Sequence, residues 1–82
     1  MQTYVTNCNF APMTHAEMIQ EGLQTYAPLI EEGMIEMREF TCFMSARYEI
    51  TGEDIERYFI RQKTLGKCGI EFINCHCYVV LN

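Results

Sequence analysis

The chain is short of positive charge, of chain breakers and of long apolar runs. Of its 82 residues only six are Lys or Arg, against eleven Asp or Glu, a net charge of −5. Nucleic-acid binding is driven mainly by Lys and Arg contacts to phosphate, so this balance argues against that class of ligand. Five glycines and two prolines are too few for a disordered chain. No apolar run approaches the roughly 20 residues that cross a bilayer. The opening stretch, MQTYVTNCNFAPM, lacks the basic and then apolar blocks of a secretory signal. A cytoplasmic protein without membrane attachment is therefore expected. Also missing are the phosphate-binding, dinucleotide, zinc-protease and EF-hand motifs, each of which places specific residues at fixed spacing. An enzyme is not expected, and neither is a cofactor.

Apolar residues make up 49% of the chain, enough for a core. One domain spanning residues 1–82 is expected, near the lower limit of what folds by itself. A core this small leaves only a few kcal/mol net, so a partner or a second copy of the chain could add to it. The five cysteines, Cys8, Cys42, Cys68, Cys75 and Cys77, are an odd number with no secretory signal beside them. Reduced thiols that pack as small hydrophobes are the natural reading.

Charge is unevenly spread. Six glutamates lie between Glu17 and Glu39 with a single base, Arg38, while Arg57, Arg61, Lys63 and Lys67 fall in one later segment. Two helix starts repeat one device. Thr14 with Glu17, and Thr51 with Asp54, have the capping-box spacing, and Met13/Met18 and Ile50/Ile55 stand where a hydrophobic staple would. Pro28 should either end the first helix near Tyr26 or start a short further turn that closes at Gly33. The second carries acids early and bases late, in keeping with the helix dipole, pairs Glu53 with Arg57, and stops at Gly66.

Three strands are predicted. Residues 3–8 alternate in type. Residues 40–50 put Phe40, Cys42, Met44, Ala46, Tyr48 and Ile50 on one face, although Met37, Phe40 and Met44 also fit a helical stripe. Residues 69–81 hold the densest β-formers and exceed the usual strand length of about 5–6 residues. They must therefore bend or form a hairpin near Asn74; the lack of Asn-Gly or Asp-Gly argues against a tight two-residue turn. The fold class that follows is α+β (mixed α/β): a small two-layer domain, order β-α-β-α-β, with two helices on a three- to four-stranded sheet.

Cys75-His76-Cys77, with Cys68 upstream, invites a metal or thiol-redox reading, and this is the alternative function. Alternation along a strand opposes it, sending Cys75 and Cys77 to one face and His76 to the other. The same alternation puts Ile73, Cys75, Cys77, Val79 and Leu81 in the core. It turns Ile70, Phe72, Asn74, His76, Tyr78 and Val80 outward, a ring-bearing face suited to docking. The resulting expectation is a non-enzymatic protein-binding module, a small inhibitor or regulator of the kind that viruses and mobile elements encode. It would meet a basic protein surface through Glu31, Glu32, Glu36, Glu39, Phe72, His76 and Tyr78. A homodimer joined through the last strand is a further expectation.

Overall fold

The computed structural model describes residues 12–81. Along them run helix α1 (His15–Tyr26), a 3₁₀ turn (Ala27–Leu29), strand β1 (Met34–Glu36), helices α2 (Met37–Ser45) and α3 (Gly52–Thr64), and strands β2 (Cys68–Ile73) and β3 (His76–Leu81). Three helices with a three-stranded antiparallel sheet, in the order β1-β3-β2, make a mixed α+β fold. The strand expected over residues 3–8 lies outside the described residues.

Both expected caps are present. Thr14 Oγ1 accepts the Glu17 N–H at 3.1 Å while Glu17 accepts the Thr14 N–H at 2.8 Å. Thr51 and Asp54 repeat the exchange at 3.2 and 3.3 Å. These bonds satisfy donors that the helix itself leaves free. Asp54 also receives Arg57 at 3.1 Å, so the Arg57 guanidinium goes to Asp54 and not to Glu53. The Asp54 carboxyl is held below the usual carboxylate range, first by the Thr51 hydroxyl and then by the Thr51 backbone N–H. The 3₁₀ turn carries Pro28 in its first positions, and Gly33 and Gly66 both adopt positive φ, as a turn and a helix stop require.

The middle of the chain differs from expectation. Residues 40–50 do not form a strand; α2 occupies residues 37–45 and an irregular link leads to α3. Phe40 and Met44 satisfy either period, and the deciding positions are Cys42 and Ala46, which alternation places inside and the structure leaves exposed. What selects the helix is Glu36. Its carboxylate accepts the N–H groups of Glu39 at 2.9 Å and Arg38 at 3.3 Å, so the chain passes from strand to helix with no intervening loop.

The last segment is a hairpin, with Ile73 paired to His76 and only Asn74 and Cys75 between them. Both turn residues have positive φ, 51° and 68°, the geometry of a type I′ turn. Asn tolerates this conformation well; Cys75 stands where glycine is usual, which is why the turn carried no obvious signal. A two-residue turn also swaps the parity of the two strands. Cys68, Ile70 and Phe72 share the helix-facing side with Leu81, Val79 and Cys77, their cross-strand partners. Gly69, Glu71 and Ile73 face outward with Val80, Tyr78 and His76. The outward side of β3 is thus as expected, and that of β2 is inverted.

The core lies between the sheet and the helices, with Ile19, Ile35, Phe40, Met44, Ile55 and Val79 fully buried. Rings join its halves: Tyr26 meets Phe40 edge-on at 5.2 Å and Phe43 at 4.9 Å, and Phe40 meets Phe59 at 5.9 Å. Each such pair adds about 0.5–1.5 kcal/mol beyond burial. Gly22 is needed where α1 passes the side chain of Met44, since a Cβ there would overlap the Met44 sulfur. The Tyr48 hydroxyl donates to Glu21, tying the α2–α3 link to α1.

Two phenylalanines give a direct test of this packing. Phe40 is 0% exposed and Phe72 is 77% exposed. Phe40→Ala should cost about 3–5 kcal/mol, most of a small domain's stability, whereas Phe72→Ala should stay within about 0.5 kcal/mol. Urea unfolding of both variants measures the difference. A second test concerns acid. Asp54 has a lowered pKa in the folded state, so its contribution is complete above the ordinary carboxylate pKa and is lost as pH falls through the lowered value. The stability gap between wild type and Asp54→Asn should close on acidification over that window, as read by thermal melts at successive pH values.

Candidate functional site

A groove of about 580 Å³, open along one side, runs between the outward face of the sheet and the segment that links α1 to β1. The four glutamates reach it from a turn, a strand end and a helix start. Glu31 and Glu32 belong to a tight turn in which the Glu31 carbonyl accepts the Met34 N–H at 3.0 Å, with Glu32 at φ 55° and Gly33 at φ 69°. The Leu81 N–H bonds to the Gly33 carbonyl at 2.7 Å and fastens this turn to the end of β3. Glu36 ends β1, and Glu39 lies in the first turn of α2. His76 opens β3, and Tyr78 pairs with Glu36 across the sheet.

The structure therefore brings Glu31, Glu32, Glu36, Glu39, His76 and Tyr78 to one groove, although the chain spreads them over residues 31–78. Phe72 is not among them. Hairpin parity puts it on the helix-facing side, at a point beyond the helices' cover, opposite to where sequence alternation placed it. The remaining lining comes from Tyr26, Leu29, Met34 and Ile73. Tyr26 is at once a core ring and part of the groove lining, and Ile73, which alternation placed in the core, faces outward. The single available signal for Tyr26 was its place just before Pro28, where a helix end turns side chains toward the next segment.

The electrostatics are one-sided. No Lys or Arg lines the groove. His76 Nδ1 lies 3.7 Å from Glu36 Oε2, an ion pair when the imidazole is charged, and its ring meets Tyr78 at 6.4 Å. Tyr26 is 8% exposed, yet its hydroxyl has no hydrogen-bond partner among the described residues. No buried side-chain oxygen is left without a partner there, so this hydroxyl opens to the groove rather than into the core. Its pKa is pushed up by burial and then by the carboxylates of Glu39 and Glu36. The phenol stays neutral.

The cysteines do not converge. Cys68 is buried, its thiol 3.7 Å from the Phe59 carbonyl; Cys75 is exposed in the hairpin turn, and Cys77 is half-buried on the helix side. Cys75 is in the turn rather than on a strand face, so it does not share a strand face with Cys77 as alternation suggested. Among the described residues no three His, Cys, Asp or Glu side chains are grouped to hold a metal ion. Burial raises the Cys68 and Cys77 thiols, with Glu56 and Glu36 adding to the effect at Cys77, which disfavours the thiolate. Cys8 lies outside the described residues. No described helix is long and apolar enough to cross a membrane.

No known protein-family model, curated protein or solved structure matches the chain. The groove's chemistry must speak for itself.

The four carboxylates are not equivalent. Glu36 caps a helix, while Glu31 and Glu32 make no side-chain bond to the described residues. Glu36→Ala should cost about 1 kcal/mol or more, and Glu31→Ala within about 0.5 kcal/mol. Thermal melts of the two variants side by side will show whether the groove's rim can be altered without loosening its frame.

Proposed function

We propose that the protein is a non-enzymatic binding module that engages a basic surface of a protein partner through this groove. The observation that carries the reading is the convergence of Glu31, Glu32, Glu36 and Glu39 on one concavity lined by no Lys or Arg. Like charges gathered in this way repel one another and gain when a cationic surface arrives; they also steer its approach. Rings and apolar walls supply what charge does not. His76, Tyr78, Ile73 and Leu29 offer area that water leaves on contact, and Leu29 is 62% exposed in the unbound chain. A second copy meeting groove to groove is a poor occupant, since acid would meet acid. By covering a basic patch on a larger partner, a module of this size would act as its inhibitor or regulator.

The test spares the capping carboxylate. Wild type and the triple variant Glu31→Lys, Glu32→Lys, Glu39→Lys are used to capture partners from native cell extract at about 0.15 M salt, with identification by mass spectrometry. The expected outcome is a partner with a basic surface that wild type retains, the variant loses, and high salt releases. Retention of the same partners by a variant with an unchanged melting temperature would overturn the reading.

A further inference from the structure

We infer that the groove is a receptor for an arginine side chain carried on an extended segment of the partner, an inference that rests on the basic-partner reading above and makes it specific. The first ground is the Tyr26 hydroxyl. It is a polar group on a side chain 8% exposed, it opens into the groove, and it lacks a partner among the described residues. The ring is held in the core while its hydroxyl faces the open groove, so an incoming group meets a fixed polar atom there. Flanked by carboxylates, this oxygen is suited to accept from a cation while its own proton turns to an acid.

The second ground is the spread of the acceptors. Glu31 and Glu32 stand on a turn, Glu39 on a helix, and Tyr26 at the end of another helix, so the acceptors approach from several directions. An ammonium offers three donors from a single, strongly hydrated point. A guanidinium offers five in a plane, is more weakly hydrated, and can reach a carboxylate and a phenol at once. The third ground is the lining. Leu29, Met34 and Ile73 suit the aliphatic stem of a long side chain, and Tyr78 and His76 present rings against which a flat cation stacks. The groove is open along its length, so a side chain presented by a polypeptide fits it better than a free small cation, which would bury little area.

The experiment uses the whole chain, isotopically labelled, in nuclear magnetic resonance titrations with three blocked peptides: acetyl-Gly-Arg-Gly-Arg-Gly-amide, its lysine counterpart and its glutamine counterpart. The expected result is movement of the Gly33, Glu39 and Tyr78 amides with the arginine peptide, at an affinity at least about fivefold above that of the lysine peptide. Tyr26→Phe should weaken the arginine peptide about three- to tenfold, and leave the melting temperature unchanged because the hydroxyl has no partner among the described residues. Equal affinity for arginine and lysine peptides, both lost in Glu31→Gln, Glu32→Gln, Glu39→Gln, would overturn the arginine assignment and leave the basic-partner reading standing. An arginine preference insensitive to Tyr26→Phe, or movement confined to residues outside the groove, would also overturn it. Absence of movement with either basic peptide would overturn the assignment too. Survival of partner capture in the charge-reversed variant is the separate result that overturns the basic-partner reading itself.

Discussion

A single carboxylate, that of Glu36, accepts the first free N–H groups of α2 at the residue where β1 stops pairing with β3. Because strand becomes helix with no loop between, the direction of α2 is set by the sheet edge itself. That direction carries Phe40 under the sheet, where it meets Tyr26 and Phe59, and the rings hold α1 and α3 in place around it. The same direction turns Glu39 toward the groove beside the Tyr26 hydroxyl. Core and groove are therefore consequences of one junction, and Glu36 belongs to both.

The arrangement sets stability against recognition. A domain of this size holds only about 5–10 kcal/mol against unfolding, so a bound partner would add noticeably to it. Any ligand that binds only the folded chain stabilises it by mass action, so occupancy of the groove and folding stability would be linked. Glu32 adds a backbone cost of its own, standing at φ 55° where glycine would be relaxed. Such costs are tolerated where a side chain is wanted more than a comfortable backbone.

Much of this was legible in the sequence where the determining forces are local. The capping boxes at Thr14 and Thr51 depend on residues three apart, and both form. The glutamate cluster was visible as composition and was grouped with His76 and Tyr78 as one surface; the share of Tyr26 and Ile73 in it was not visible, since both are apolar rings or chains that suit a core. The middle helix was ambiguous for a physical reason: Phe40 and Met44, four apart, satisfy periods of two and of 3.6 alike, and Cys42 and Ala46 are too small to declare a side. Its cap was hidden because Glu is not among the usual capping residues. The hairpin was obscured by Cys75 in a position that normally reads as glycine, and that one omission sent Phe72 and Ile73 to the wrong faces.

The turn at Asn74 and Cys75 governs more than chain reversal. It is a phase-setter for the sheet: with two residues it aligns Val79 with Ile70 toward the helices and leaves His76 and Tyr78 on the wet side. A turn one residue longer that preserved the pairing of β3 with β1 would move every side chain of β2 to the other face, drawing Glu71 under the helices and exposing Cys68. The apolar and acidic halves of this small molecule are thus kept apart by the length of its sharpest bend. Two residues in an uncomfortable conformation serve as the boundary marker between what is packed and what is presented.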